Sequence, residues 1–448
     1  MDSRSLYPMN RRELLKTWGC GFGYLALAGM TTEASTSFKG PLAPRPPHFA
    51  GKAKRVIFLF MQGGPTQYET FDYNPELVSA AEKSSGNIMA PACKFSQHGE
   101  SGLYISDLFP HLARQADDLC ILNGLHTDSP AHPQATIQMH TGSVNFVRPS
   151  VGAWVVYGLG TENQNMPGFI TVNPPQLGGA QNYGSAFLPA SYQGTPYQTR
   201  TGTLPNIKNP ELASDAQRKQ IDLIQSLNKG YLKKATTDPE IEGIIESYEM
   251  AFRMQSAVPG ILDLKGETEA TRKMYGLNDN ATRGFGLQCL LARRLAESGV
   301  RFIEISQGNW DHHNNLRTRM ETSAREIDQP MGALIADLRQ RDMLRDTLLV
   351  WGGEFGRTTN GQNGDGRNHN NRGFSMWMAG GGIKGGLRHG ATDPVSGSAI
   401  SGKVHLHDLH ATILHMLGLD HTKLTYRYGG RDFRLTDVHG NIVKEILA

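Results

Sequence analysis

Arg55-Val56-Ile57-Phe58-Leu59-Phe60 is an apolar run that Gly63-Gly64-Pro65 brings to a stop. No polar residue interrupts it after Arg55, so it predicts a strand buried on both faces and ending in a tight loop. Further buried strands are expected at Leu119 to Leu122, Phe169 to Val172, Val300 to Ser306, Thr347 to Trp351 and Phe374 to Met378. Helices are expected between them, at Ser106 to Gln115, Gln134 to Thr141, Phe285 to Glu297, Arg319 to Arg341 and His407 to Leu417. The last carries Leu409, Ile413, Leu414 and Leu417 on one stripe. Strands alternating with amphipathic helices predict an α/β layer architecture around a mostly parallel sheet. In such folds ligands sit beyond the carboxyl ends of the strands.

Composition agrees and narrows the function. The chain has 448 residues, 51 of them Gly and 23 Pro, with only 19% charged, so it is rich in loops; 38% apolar residues still provide a large core. Disorder, collagen and coiled coil are excluded. The net charge of +3 gives no cationic excess of the kind nucleic-acid binding requires. No G-x-G-x-x-G opens a helix and no Walker loop occurs, so a nucleotide cofactor lacks support. Residues 173–270 break the α/β rhythm with a Gly, Asn, Pro and Gln-rich stretch and then helices around Glu211 to Lys234 and Pro239 to Ala257. This reads as an insertion covering one side of the sheet, in the manner of a lid. Gly380 to Gly386 reads as a plain turn in preference to an anion cradle.

The N-terminus carries an address. Asn10-Arg11-Arg12-Glu13-Leu14-Leu15-Lys16, then the weakly apolar run Trp18 to Met30, looks like a twin-arginine export signal over residues 1–34, too short to span a bilayer. Residues 35–54, with four prolines, read as a linker, and residues 55–448 as the working domain. The expected partner is the twin-arginine export machinery, and the expected location is periplasmic or extracellular, with no membrane span in the mature protein. Removing the signal leaves Cys93, Cys120 and Cys289; Cys93 with Cys120 is the one disulfide to consider, with free buried thiols as the alternative.

Polar motifs gather where the strand-end rule puts a site. His126 to His132 follows the second strand, Asn309-Trp310-Asp311-His312-His313 follows Val300 to Ser306, and Glu354-Phe355-Gly356-Arg357 follows Thr347 to Trp351. A Gly/Asn loop then bears Arg367-Asn368-His369. Imidazole and carboxylate together suit a divalent ion, and Asp311 with His313 offers two ligands from one loop. Glu354 reads as a ligand, a general base or a partner of Arg357.

These residues also carry a resemblance. Met61 to Pro65, the block His132 to Gly142, Trp310 to His313, Trp351 to Arg357, and the end Leu424 to Arg427 and Val438 to Gly440 resemble the "domain of unknown function 1501" family. That family is similar to the alkaline phosphatase and arylsulfatase superfamily. The resemblance implies a doubly wound sheet with helices on both faces and a metal site over the strand ends. It places His132 where arylsulfatases carry their nucleophile, ten residues ahead of Gly142. Where the superfamily has Ser-Asp-His-Gly, this chain has Gly353-Glu354-Phe355-Gly356, so a metal Asp becomes Glu354 and a metal His becomes Phe355. Asp311 and His313 match the Asp and His of the phosphatase branch, and His369 its later His ligand.

The expectation is an exported, metal-dependent hydrolase of phosphate or sulfate esters on a small molecule or glycan. Asp311, His313 and His369 hold zinc, manganese or calcium, and His132, Glu354 and Arg357 are catalytic, with Arg357 binding the anion. The alternative is an inactive envelope protein binding an anionic glycan or lipid in the same pocket.

Overall fold

The opening apolar run becomes β1 (Arg55–Met61), with every residue after Arg55 buried. The structure, a computed structural model, describes residues 40–84, 87–202, 212, 214–232 and 239–448. The twin-arginine segment lies outside them. The other strands of the central sheet are β2 (Leu119–His126), β3 (Phe169–Val172), β4 (Thr195–Tyr197), β5 (Phe302–Gln307) and β6 (Thr347–Gly352). A hairpin of β7 (Gly356–Gln362) and β8 (Gly366–Asn370) precedes β9 (Phe374–Ala379), β10 (Leu387–His389) and β11 (Val404–His405).

Nine of these form one sheet in the order β10-β2-β9-β6-β1-β5-β3-β4, with β11 beside β2 and the hairpin standing apart. Every pairing is parallel except those of β9, which runs against both β2 and β6. Successive residues of β1, β6 and β9 are all buried, so both faces of the sheet are covered, as a doubly wound architecture requires. The helices include α1 (His132–Thr141), α2 (Val151–Leu159), α3 (Ser214–Leu232), α4 (Pro239–Leu262), α5 (Arg283–Glu297), α6 (Leu316–Gln340) and α7 (Leu406–Met416). No helix among the described residues is long and apolar enough to cross a membrane.

Register sets up the site. Met61 pairs with Gln307 and Phe60 with Gly352, so β1, β5 and β6 end level with one another. The turns that follow them therefore emerge side by side. Because β9 is antiparallel, the chain returns from β6 through the β7–β8 hairpin at that same edge.

Two expectations change, and the cysteines decide between the two alternatives given for them. The helix over Ser106 to Gln115 is absent: Leu103–Ser106 pairs with Phe95–His98 as a ribbon, and a 3-10 helix starts only at Leu112. The Asp328 carboxylate accepts the His111 and Leu112 amides at 2.9 and 2.8 Å and fixes that start. Cys93 and Cys120 are free thiols, Cys120 being buried within β2 and Cys93 packed on the Glu69 carbonyl at 3.5 Å. The Gly/Asn loop is an ordered hairpin, turned at Asn363 (φ 52°) and Gly364 (φ 91°). In the insertion, β4 extends the sheet edge and an Arg218–Glu249 ion pair of 2.6 Å ties α3 to α4.

His410, on α7, is wholly buried and donates its Nε2 proton to the Met139 carbonyl at 2.7 Å. Burial pushes its pKa down to about 3, against about 6.5 in an unfolded chain. The folded state therefore favours the neutral ring, and this contribution to stability is complete above pH 6.5 and declines as pH falls toward 3. Denaturant titrations between pH 7.5 and 4.5 should lose about 1.4 kcal/mol per pH unit below 6.5 from this group. His410→Gln should flatten that slope.

Candidate metal centre

Five segments at the level strand ends deliver the polar side chains. The turn after β1 contributes Gly63 and Gly64, and the turn after β5 contributes Asp311 and His313. The turn after β6 brings Glu354 to Arg357, strand β8 brings His369, and His132 opens α1. Both glycines are obligatory by geometry. Gly63 (φ 121°) would put a Cβ 2.6 Å from the Asp311 amide nitrogen, and Gly64 (φ 66°) would put one 2.7 Å from the Phe355 ring.

His132, Asp311, His313 and His369, all half-buried, offer one ligand atom each within 4.8 Å of one another. Asp311 Oδ1 is the hub, 2.8 Å from His313 Nε2, 3.3 Å from His132 Nε2 and 3.4 Å from His369 Nε2. Each imidazole has its other nitrogen engaged by an oxygen: His132 Nδ1 with Glu354 Oε1 at 2.6 Å, His313 Nδ1 with Gln362 Oε1 at 2.6 Å, and His369 Nδ1 with the Pro130 carbonyl at 2.8 Å. A carboxylate and a carbonyl only accept, so His132 and His369 carry their protons on Nδ1 and turn Nε2 inward. His132 Nε2 is buried and meets no hydrogen-bond geometry despite its closeness to Asp311. His313 and His369 face each other Nε2 to Nε2 at 3.0 Å. Four electron-rich atoms so placed repel one another unless protons or a cation lie among them, and an N3O donor set with outer acceptors on each imidazole is what a transition-metal ion takes.

Residues 53–447 match the family described as Protein of unknown function (DUF1501). The chain is a member of the DUF1501 family. No curated protein sequence matches it. Solved structures similar to it include the lipoteichoic acid synthase LtaP from Listeria monocytogenes, at 9% identity over 90% of this chain and 79% of that one, with a TM-score of 0.40. PsFucS1 sulfatase from Pseudoalteromonas sp. is 12% identical over 82% and 68%, TM-score 0.36. Alkaline phosphatase from the Antarctic bacterium TAB5 is 9% identical over 74% and 92%, TM-score 0.33. At these values no residue role transfers, and the chemistry rests on the side chains of this DUF1501 chain.

Those side chains redistribute the expected roles. Asp311, His313 and His369 converge, and His132 joins them as a fourth donor. Glu354 stands behind the cluster, fully buried, accepting from the Gly63 amide at 3.0 Å as well as bonding His132. Its expected partner Arg357 pairs with Asp311 instead, at 2.6 Å. Nor is Arg357 available to an anion: fully buried, it donates to the Gly63, Gly64, Trp310 and Arg367 carbonyls. Its role in this DUF1501 chain is to aim Asp311. Phe355 walls the cluster, its ring 4.7 Å from that of His132 and 4.6 Å from that of His369. His312 points away, buried near Ser323, and burial pushes its pKa down to about 4.

Sequence reading missed the Pro130 carbonyl and Gln362, which orient two imidazoles. A backbone carbonyl has no side-chain signature, whereas the Asn363-Gly364 turn signal would have placed Gln362 on a hairpin beside His369.

Electrostatics bind the centre to pH. Burial works against ionised Asp311, yet the His132 ring close by and hydrogen bonds from His369 and Arg357 outweigh it and hold the carboxyl far below the usual range. Burial likewise opposes a charged His132, but Asp311 and Glu354 raise its pKa to about 9. Without a metal ion, His132 is therefore protonated at pH 7. Binding a divalent ion there should release that proton, and apparent affinity should rise about tenfold per pH unit until it levels near pH 9. Calorimetry in buffers of different ionisation enthalpy reads the proton directly; a pH-independent affinity would exclude His132 as a ligand.

Proposed function

We propose that the chain is a metal-dependent hydrolase of phosphate or sulfate esters that uses one divalent ion held by His132, Asp311, His313 and His369. The observation that supports this most is the inward turn of three Nε2 atoms onto Asp311, each ring anchored from behind. Three imidazoles among four donors suit zinc or manganese and do not suit calcium, which takes oxygen ligands. An ion in this position supplies Lewis acidity toward an ester oxygen and lowers the pKa of water. The ester class is supported by the motif resemblance over residues 132–142 and 310–313.

The chain's own residues confine the chemistry. His132 has Nδ1 tied to Glu354 and Nε2 in the ligand set, which leaves no nitrogen to attack phosphorus or sulfur. The Thr66 hydroxyl, near the turn after β1, is buried and bonded to Glu69 at 2.5 Å. The reading is therefore direct hydrolysis by water, with Arg357 holding Asp311 and Phe355 keeping one wall dry.

One observation favours the second reading, a non-catalytic binder of an anionic glycan or lipid in the same place: at the position of the expected nucleophile His132 has both ring nitrogens engaged, and Phe355 lies against it where the superfamily has a metal-binding histidine. Purified protein should carry about one zinc or manganese ion per chain by elemental analysis. His313→Ala should lose most of that metal and at least about 100-fold of the turnover on aryl phosphates, phosphodiesters or aryl sulfates. Full metal loading without turnover on any of the three would sink the hydrolase and leave the binder.

The export address belongs to the same proposal. Arg11→Lys with Arg12→Lys should trap the precursor inside the cell, as read by fractionation; unaltered export would remove the twin-arginine assignment.

A further inference from the structure

α1 carries His132 into the candidate metal centre, yet little apolar surface holds this helix down. Of its buried residues Ala135, Thr136, Gln138, Met139, His140 and Thr141, two, Ala135 and Met139, are apolar, and Ala131 ahead of it supplies no side-chain cap. Polar contacts seat it instead. Gln138 Oε1 accepts the Asp128 amide at 3.1 Å and so ties α1 to the loop whose Pro130 carbonyl orients His369. In the last turn His140 packs on the Phe58 and Phe60 rings of β1, 5.9 and 4.7 Å between centroids. Glu304 and Ser306 of β5 stand beside those two phenylalanines in register.

His140 and Glu304 are sealed from solvent, 0% and 1% exposed. His140 donates its Nδ1 proton to the Thr136 carbonyl at 2.7 Å, and its Nε2 lies 3.3 Å from Glu304 Oε1. The Ser306 hydroxyl donates to the same oxygen at 3.3 Å, while Glu304 Oε2 meets no partner. A carboxylate at this depth needs a cation, and among the described residues His140 is the one that pairs with it. Burial opposes a charged His140, but Glu304 outweighs it and raises the pKa above the ordinary histidine value. Of the other titratable groups near the ring, Glu354 adds to that rise and His410, packed from α7, is neutral at pH 7. Apolar burial has no direction and would let a short helix roll, whereas a charged hydrogen bond fixes an angle.

We propose that Glu304 is a positioning residue for the metal donor His132: paired with the His140 imidazolium, it fixes the roll of α1 and so aims His132 Nε2 from about 12 Å away along the helix. The proposal rests on His132 binding the ion, and its tests keep the two apart. Nitrogen-15 NMR of the full chain should show His140 protonated on both ring nitrogens at pH 7.5, and neutral in Glu304→Gln. Calorimetry with zinc alone should give Glu304→Gln an affinity at least about tenfold below that of the parent. Should that variant fail to fold, Glu304→Leu with His140→Phe replaces the pair by apolar side chains. It should melt close to the parent and still bind zinc at least about tenfold more weakly, because packing is restored and direction is not. Its missing histidine signal also assigns His140 in the spectra. Parental zinc affinity in the double variant makes the pair a packing element and overturns the proposal, as does a neutral His140 in the parent. Zinc bound by neither parent nor variants removes the metal reading itself, and this proposal with it.

Discussion

One buried guanidinium holds the strand ends in register with one another. Arg357 donates to the carbonyls of Gly63 and Gly64 beyond β1, of Trp310 beyond β5 and of Arg367 on β8, and it pairs with Asp311. Gln67 clamps the backbone of the same residue, accepting its amide and donating to its carbonyl, both at 2.8 Å. A charge so deeply buried is tolerable only because every arm finds an oxygen, and removing such a group typically costs about 3–5 kcal/mol. The glycines at 63 and 64 leave room there for the Asp311 amide and the Phe355 ring. Three separate segments thus share one fastening, and the position of Asp311 follows from it.

The candidate metal centre inherits that rigidity. Its donors come from the turn after β5, the hairpin and the start of α1, and no single segment could hold an ion alone. Each imidazole is oriented by an acceptor on a different element: Glu354 after β6, Gln362 on β7 and the Pro130 carbonyl ahead of α1. Geometry built in this way is set before a ligand arrives, which is the condition for useful binding and for catalysis.

Much of the sheet was legible because an unbroken apolar run such as Val56 to Met61, too short for a helix and stopped by Gly63-Gly64-Pro65, reads as a doubly covered strand. The convergence of Asp311, His313, His369 and His132 was legible for a related reason: side chains placed just past such strands have to meet. Direction was not legible. Phe374 to Met378 looks the same whichever way it runs, and only its pairing with β2 and β6 shows it antiparallel. The Ser106 to Gln115 helix failed because the carboxylate that starts the real helical turn, Asp328, lies more than two hundred residues away in sequence. Arg357 was misread as an anion clamp because a sequence does not show that a side chain is enclosed by carbonyls.

The antiparallel course of β9 carries an implication for how this site can change over time. Since β6 and β9 are joined by a hairpin and need no crossover helix, the segment bearing Gln362 and His369 is attached to the sheet at both ends and open at its Asn363-Gly364 tip. Insertions at that tip would lengthen an exposed turn without moving the paired rungs on which the two side chains sit. The hairpin is thus the part of the centre most open to evolutionary remodelling: its outer end can acquire new substrate contacts while the ligand geometry stays as it is.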